Sequence, residues 1–115
     1  MSVSTDIFLN ENIETISKVL GVEFHDARDP NFVRQEFEGI GFRLILLPDP
    51  DLEDDGDLPL SRFKMQIGIA CDRSVDGIAV SHQVQVYLGK WIRRLLQRHG
   101  VSDCLLVEDL QRRID

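Results

Sequence analysis

The clearest pattern in the chain is an alternation of apolar and polar side chains over residues 62–71, RFKMQIGIAC. Every second side chain from Phe63 to Cys71 is apolar, and polar residues such as Lys64 and Gln66 lie between them. Because successive side chains of a β-strand point to opposite faces, this segment predicts a strand with one buried face and one face in water. Such half-buried strands are typical of antiparallel sheets.

Other apolar segments also predict strands. FRLILL (42–47) is a nearly unbroken apolar run, typical of a strand buried on both faces. FVRQEF (32–37) alternates loosely and is followed by EGIG, so we expect a hairpin or, as an alternative, one long bent strand. VEFH (22–25) suits a short strand before the turn-rich DARDPN (26–31). CLLV (104–107) predicts a last buried strand, which EDLQRRID either extends or follows as a short helix.

A first helix is predicted over residues 11–20. Apolar residues from Ile13 to Leu20 recur at helical spacing and therefore share one face. Asn10 is the candidate N-cap, and Gly21 stands where a left-handed C-terminal cap is favoured.

A second helix is predicted between Ser81, as its N-cap, and Gly100, as its stop. Gly89 weakens this helix by about 1 kcal/mol relative to alanine, so we expect it to allow close packing against the sheet. The predicted core-facing stripe consists of Val84, Leu88, Trp91, Ile92 and Leu95.

The order helix, strands, helix, strand indicates an α+β fold, in which a mainly antiparallel sheet carries two helices packed on one face. The 115 residues fit one domain, so residues 1–115 are expected to form a single domain. With 43% apolar and 29% charged residues, the composition is typical of a protein that folds by itself.

Composition also bears on the compartment. No basic region precedes the short apolar run Ile7–Leu9, and no apolar segment is long enough to span a membrane. We therefore expect a cytosolic protein. Cys71 and Cys104 each lie in an apolar run, which suits buried, reduced thiols, with a disulfide between them as the alternative.

The charge of the chain is concentrated in one connection between predicted strands. The formal net charge is −7, and residues 49–57, here called the acidic loop, hold six carboxylates and no basic side chain. The other 14 of the 20 acidic residues nearly balance the 13 lysines and arginines. The connection is longer than hairpin loops usually are, which leaves a functional loop and a solvated spacer as interpretations. The six carboxylates belong to Asp49, Asp51, Glu53, Asp54, Asp55 and Asp57.

A calcium site is the first chemistry to test in the acidic loop. Asp51, Glu53 and Asp55 have the spacing of calcium ligands, and Gly56 follows them at the expected position. The final bidentate glutamate of that motif is replaced by Arg62. We therefore predict no dedicated calcium site.

The histidines do not form a metal-ligand pattern. His25 next to Asp26 lacks the further ligands that a metal phosphohydrolase needs. His82 and His99 have no second ligand at a suitable spacing. We predict neither a metal nor another cofactor.

A nucleophilic site is also disfavoured by the pattern. Cys71, His82 and Asp72 have the composition of a nucleophile, a base and an orienting acid, but no oxyanion loop is recognisable. Ser74 and Ser81 lack a nucleophile elbow. We predict that the protein is not an enzyme.

The predicted second helix carries four basic side chains, for which a solvated outer face is the simpler interpretation and an anion-binding face the alternative. Because the net charge of −7 repels phosphates and anionic lipids, we expect neither direct nucleic-acid binding nor membrane binding. A basic protein partner is favoured. The four basic side chains are Lys90, Arg93, Arg94 and Arg98.

A small acidic α+β protein with one acidic loop and no catalytic motif resembles the immunity proteins that bacteria use against secreted nuclease toxins. The resemblance covers size, acidity and residues 49–57. It implies that the acidic loop covers the basic active site of a cationic partner, such as a nuclease toxin. We therefore predict a protein-binding inhibitor. The alternatives are a small acidic secretion-type chaperone, dimeric and with apolar grooves for a client segment, and a small enzyme or metal-dependent sensor.

Overall fold

A computed structural model of the protein describes residues 4–26, 34–71 and 78–114, with the backbone alone for residues 78–81. Most of the predicted turn at 26–31 lies outside the described residues. The elements are β1 (Thr5–Leu9), α1 (Ile13–Leu20), β2 (His25–Asp26), β3 (Gln35–Gly39), β4 (Phe42–Pro48), a 3₁₀ helix (Leu60–Arg62), β5 (Met65–Cys71), α2 (Ile78–Arg98), β6 (Leu105–Glu108) and β7 (Arg112–Arg113).

Across the described ranges, seven strands form one antiparallel sheet in the order β2-β3-β4-β5-β1-β6-β7. Strand β1 lies near the middle, where Ile7 pairs with Ile67 of β5 on one side and with Leu106 of β6 on the other. The predicted α+β fold with an antiparallel sheet is confirmed.

The main core lies between one face of the sheet and both helices, as predicted. Ile16 of α1 and both Ile92 and Leu96 of α2 pack against side chains from the central strands. Complete burial of such a side chain contributes about 1.5–3 kcal/mol, so this layer holds most of the hydrophobic stabilisation. The sheet side chains of this core are Ile7, Leu9, Leu44, Leu46, Met65, Ile67, Ile69 and Leu106.

Helix α1 begins two residues later than predicted because Asn12, and not Asn10, is its N-cap. Asn12 Oδ1 accepts a hydrogen bond from the backbone N–H of Thr15 at 2.8 Å. Asn10 Oδ1 instead accepts from the backbone N–H of Lys64 at 2.8 Å, which ties the end of β1 to the start of β5. The predicted C-cap at Gly21 is confirmed, with φ at 69°.

Helix α2 also differs from its prediction. It begins at Ile78, so Ser81 lies inside the helix and does not cap it. Val84 and Trp91, two members of the predicted core-facing stripe, are exposed. Because the side chains buried on α2 are those of Ile92 and Leu96, the packed face is rotated by roughly a quarter turn from the predicted one.

Gly89 explains how closely this face approaches the sheet. A Cβ atom at position 89 would lie 2.8 Å from Leu106 Cδ1 and 3.3 Å from both Ile69 Cδ1 and Thr5 Cγ2. A side chain here would push α2 away from β1, β5 and β6. The predicted close packing at Gly89 is therefore confirmed.

The second face of the sheet is only in part the wet face predicted from residues 62–71, because Lys64 is exposed but Gln66 is not. Gln66 on this face is buried, and its Nε2 donates a hydrogen bond to Asp6 Oδ1 at 2.9 Å. Apolar side chains from β1 and β6 form a second cluster here. The predicted wet face is thus correct at Lys64 and wrong at Gln66, where other parts of the chain cover the sheet.

The remaining strand predictions have mixed outcomes. β3 and β4 form a hairpin around Ile40 and Gly41, so the single bent strand is wrong. Strand β4 is buried mainly on one face, because Ile45 and Leu47 are only half-buried. Strand β6 ends at Glu108, so EDLQRRID extends the predicted strand by one residue only; β7 then pairs back onto β6, and no helix follows in the described residues.

Candidate functional site

The acidic loop belongs to a connection that packs against the second face of the sheet. This connection runs from the end of β4 to the start of β5. Its side chains Leu58, Leu60 and Phe63 are buried in the second apolar cluster, and Leu52 is packed against that cluster. The sheet contributes Phe8, Leu105 and Val107 to the same cluster. The carboxylates are therefore carried by a segment that is anchored in a core.

The backbone of the connection is also closed at two places. At its base, the N–H of Asp49 donates to the carbonyl of Lys64 at 2.8 Å. Further along, Asp55 and Leu58 exchange two backbone hydrogen bonds of 3.1 and 2.9 Å around a tight turn. Gly56 adopts the positive φ of 59° that this turn requires. Local backbone pairing thus adds to the anchoring by leucines.

Asp54 links the acidic loop to the 3₁₀ helix. Its Oδ1 accepts hydrogen bonds from the backbone N–H of Ser61 at 2.9 Å and from Ser61 Oγ at 2.6 Å. These bonds lower the pKa of Asp54, first through the hydroxyl and then through the backbone N–H. The carboxylate of Asp54 therefore stays charged at neutral pH and has a structural role in addition to its charge.

The six predicted site residues lie together on this connection, and all of them are exposed. Among the described residues, none of their carboxylates forms an ion pair. The nearest arginine in sequence, Arg62, instead binds both oxygens of Asp103 at 2.5 and 2.9 Å and stacks over the ring of Phe63. The negative charge of the acidic loop is thus uncompensated by the surrounding described side chains.

This arrangement favours attraction of a cation over chelation of a metal. In the part of the chain that the structure describes, no three His, Cys, Asp or Glu side chains converge as metal ligands. Six like charges in a short segment instead produce a negative field that extends about a Debye length into solution, about 8 Å at physiological ionic strength.

The other predicted candidates are scattered. His25 and Asp26 are exposed on the edge strand β2. Cys71 is half-buried, and its backbone N–H donates to Gln85 Oε1 at 3.2 Å. Asp72 and Ser74 lie outside the described residues, and so does the side chain of Ser81. Burial raises the pKa of the Cys104 thiol, which disfavours the reactive thiolate.

One polar cluster was missed by the sequence reasoning. His82 Nε2 lies 2.8 Å from Glu108 Oε1, and Arg112 pairs with the other oxygen of the same carboxylate. The hydrogen bond from Arg112 and, to a smaller extent, that from His82 lower the pKa of Glu108. His82 and Glu108 are far apart in sequence, so only the pairing of β6 with β1 beneath α2 brings them together.

The four basic residues of α2 do not form one set. Arg93 Nη1 donates to the backbone carbonyl of Ile114 at 2.6 Å, which ties α2 to the end of the chain. Lys90, Arg94 and Arg98 are exposed, and none of them forms an ion pair within the described ranges.

No helix in the described part of the protein is both long and apolar enough to cross a membrane. Comparisons of the chain with models of protein families, with curated proteins and with solved structures find no match.

Proposed function

We propose that the protein binds and neutralises a cationic protein partner through the acidic loop, in the manner of an immunity protein that covers a nuclease toxin. The observation that carries the proposal is the presentation of six exposed carboxylates, without ion pairs among the described residues, on a connection anchored by Leu58 and Leu60.

Anchoring matters because binding costs conformational entropy. A free loop with these charges would lose backbone freedom when it docks, at about 1–2 kcal/mol for each residue that becomes fixed. Here Leu58, Leu60 and Phe63 already hold part of the connection in place. The charges are therefore partly ordered before the partner arrives, which favours affinity.

The uncompensated charge supports a role in association. Mutual repulsion among six carboxylates opposes folding unless something offsets it, and a cationic partner would supply that offset. Steering by such a patch raises association rates by about 10- to 1,000-fold, and the gain falls as salt is added.

The test is the association rate with one candidate partner, the protein encoded beside the gene of this chain, at low and physiological ionic strength. The variant combines Asp51→Asn, Glu53→Gln, Asp55→Asn and Asp57→Asn, and leaves Asp54 in place because its hydrogen bonds hold Ser61. We expect association to slow at least about tenfold at low salt and to lose most of its salt dependence.

A matched control removes the same number of charges from exposed sites outside the acidic loop. We expect this control to change the association rate by less than about threefold, because its charges are spread over the surface. Equal slowing by both variants, an unchanged rate for the loop variant, or no binding of the wild-type protein would overturn the proposal. The control combines Glu14→Gln, Glu23→Gln, Glu38→Gln and Asp109→Asn.

A further inference from the structure

The outer side of α2 carries apolar side chains that are exposed in the described part of the protein. Val84 is 45% exposed, Tyr87 is 74% exposed and Trp91 is 53% exposed. Their spacing of three and four residues places them on one side of the helix. Only one other large apolar residue in the described ranges is exposed, Ile40 at the tip of the β3–β4 hairpin.

The contacts of α2 with the sheet do not involve these three side chains. Gly89, Ile92 and Leu96 contact the sheet, and Arg93 ties the helix to Ile114. Single exposed apolar residues are ordinary, but contiguous ones on one surface indicate contact with another molecule. Tyrosine, tryptophan and arginine are the residue types that contribute most to protein interfaces.

The charge beside these apolar side chains indicates what kind of molecule could bind this side of α2. Lys90, Arg94 and Arg98 are exposed along the same outer side, and the whole of α2 contains no Asp or Glu. The acidic loop covers the opposite face of the sheet, so it does not neutralise these three cations. The surface is thus apolar in its centre and basic at its margin, although the protein as a whole is acidic.

A second copy of the chain is a poor occupant for this surface. If two α2 helices packed together, both would be basic and neither would supply a carboxylate. If the acidic loop of one copy met α2 of another, the contact would be between different surfaces and would tend to form open chains instead of a closed dimer. Leu58, which directly follows that loop, is also buried in its own core and cannot pack against the apolar side chains of α2.

We infer that this outer side of α2, defined by Val84, Tyr87, Lys90, Trp91, Arg94 and Arg98 and called the α2 ridge, binds an acidic amphipathic segment of another protein. That segment carries apolar side chains on one face and carboxylates beside them. The α2 ridge runs from residue 84 to residue 98, about 21 Å along a helix, which matches about four turns of a partner helix. This site is separate from the acidic loop.

The test begins with a random library of displayed peptides about 16 residues long, which is long enough to cover the α2 ridge as a helix. Binders are selected on the wild-type protein alone, and each enriched peptide is then assayed on the variant Tyr87→Ser/Trp91→Ser, whose fold is checked by circular dichroism. We expect enriched peptides to combine leucine or aromatic residues at helical spacing with Asp and Glu, and to lose binding to the variant.

The enriched peptide is then titrated against the full chain, whose only tryptophan is Trp91. Binding on the ridge should shift the Trp91 emission to shorter wavelength and protect it from acrylamide. The variant Arg94→Glu/Arg98→Glu should weaken binding at least about tenfold, because it reverses the charge that attracts the peptide. The matched variant Lys64→Glu/Arg113→Glu changes the same number of charges elsewhere and should bind within about twofold of wild type.

Several outcomes would overturn the inference. These are enrichment of basic or uncharged peptides, no loss of binding to the Tyr87→Ser/Trp91→Ser variant, and equal weakening by both charge-reversal variants. A shift of Trp91 emission that follows protein concentration alone would assign the ridge to self-association. A shift that occurs with phosphatidylcholine–phosphatidylserine vesicles but with no selected peptide would assign it to a lipid surface.

Discussion

Asp6 is a buried carboxylate of β1, on the second face of the sheet. The residue is 5% exposed, and it accepts a hydrogen bond from Gln66 Nε2 at 2.9 Å. Its Oδ1 lies 3.4 Å from the place where a Cβ on Gly68 would stand, so the glycine leaves it room. Burial raises the pKa of Asp6, although hydrogen bonds with Gln66 and Ser4 partly offset that effect.

The raised pKa of Asp6 determines how this residue changes the stability of the protein with pH. The folded state holds the Asp6 proton more tightly than the unfolded state does, so this group favours folding at acidic pH. That contribution is lost as the pH rises from the usual aspartate value through the raised value. At neutral pH the buried charge therefore lowers the free energy of unfolding.

The substitution Asp6→Asn is expected to stabilise the protein at neutral pH by about 1 kcal/mol, the scale of one buried hydrogen-bonding group. Asparagine keeps the shape and the pairing with Gln66, but it carries no charge to desolvate. Denaturant unfolding from about pH 3 to about pH 8, a range that begins below the usual aspartate pKa of about 3.9, should also show a weaker decline of stability with pH. The exposed control Glu23→Gln should leave the curve unchanged, and destabilisation by Asp6→Asn at neutral pH would contradict the account.

At the scale of elements, the connection between β4 and β5 behaves as a third layer of the fold. Its buried leucines and Phe63 cover Phe8, Leu105 and Val107, which would otherwise expose an apolar sheet face. The rings of Phe8 and Phe63 lie 6.1 Å apart, within the range of favourable aromatic pairs. The acidic residues are the outer surface of this layer.

The substitution Leu60→Ala should therefore cost about 2–4 kcal/mol of unfolding free energy, because it leaves a cavity between the connection and the sheet. Leu52→Ala, in the same connection but only half-buried, should cost less than about 1 kcal/mol. Both values come from chemical denaturation monitored by circular dichroism. Similar small costs for the two variants would mean that the connection does not pack as a layer.

The sequence pattern could predict the elements whose periodicity is local. The α1 helix, the β3–β4 hairpin and β5 follow from spacing and from turn residues such as Gly21. Strand β1 was missed because Thr5–Leu9 is short and buried on both faces, so its apolar residues Ile7–Leu9 form an unbroken run of three without alternation. Its place between β5 and β6 depends on pairings distant in sequence.

The packed side of α2 and the anchoring of the acidic loop needed tertiary information. Apolar residues lie on more than one side of α2, and the side that meets the sheet is the one on which Gly89 permits close approach. The sequence did contain a signal for the anchoring of the loop, since Leu58 and Leu60 stand at alternate positions directly after it. The high charge of their neighbours made the segment look fully solvated.

At the scale of the whole molecule, the sheet separates two surfaces of opposite character. The acidic loop lies over one face, and α2 lies over the other with Trp91 and Arg94 pointing outward. With one layer spacing of about 10 Å on each side of the sheet, the two surfaces are about 20 Å apart. The molecule measures 36 × 33 × 32 Å, which accommodates this separation.

This separation predicts how the two surfaces influence each other. At physiological ionic strength the Debye length is about 8 Å, so the acidic loop should hardly affect an acidic peptide on the α2 ridge. Neutralising Asp51, Glu53, Asp55 and Asp57 should then change the Kd of the selected peptide by less than about twofold. At 0.01 M salt the Debye length is about 30 Å, so the loop repels the peptide and its neutralisation should tighten binding by a few-fold. Titrations of Trp91 emission at both salt concentrations measure this. Weaker peptide binding after neutralisation would mean that the acidic loop contributes to the peptide site, which would contradict the separation of the two surfaces.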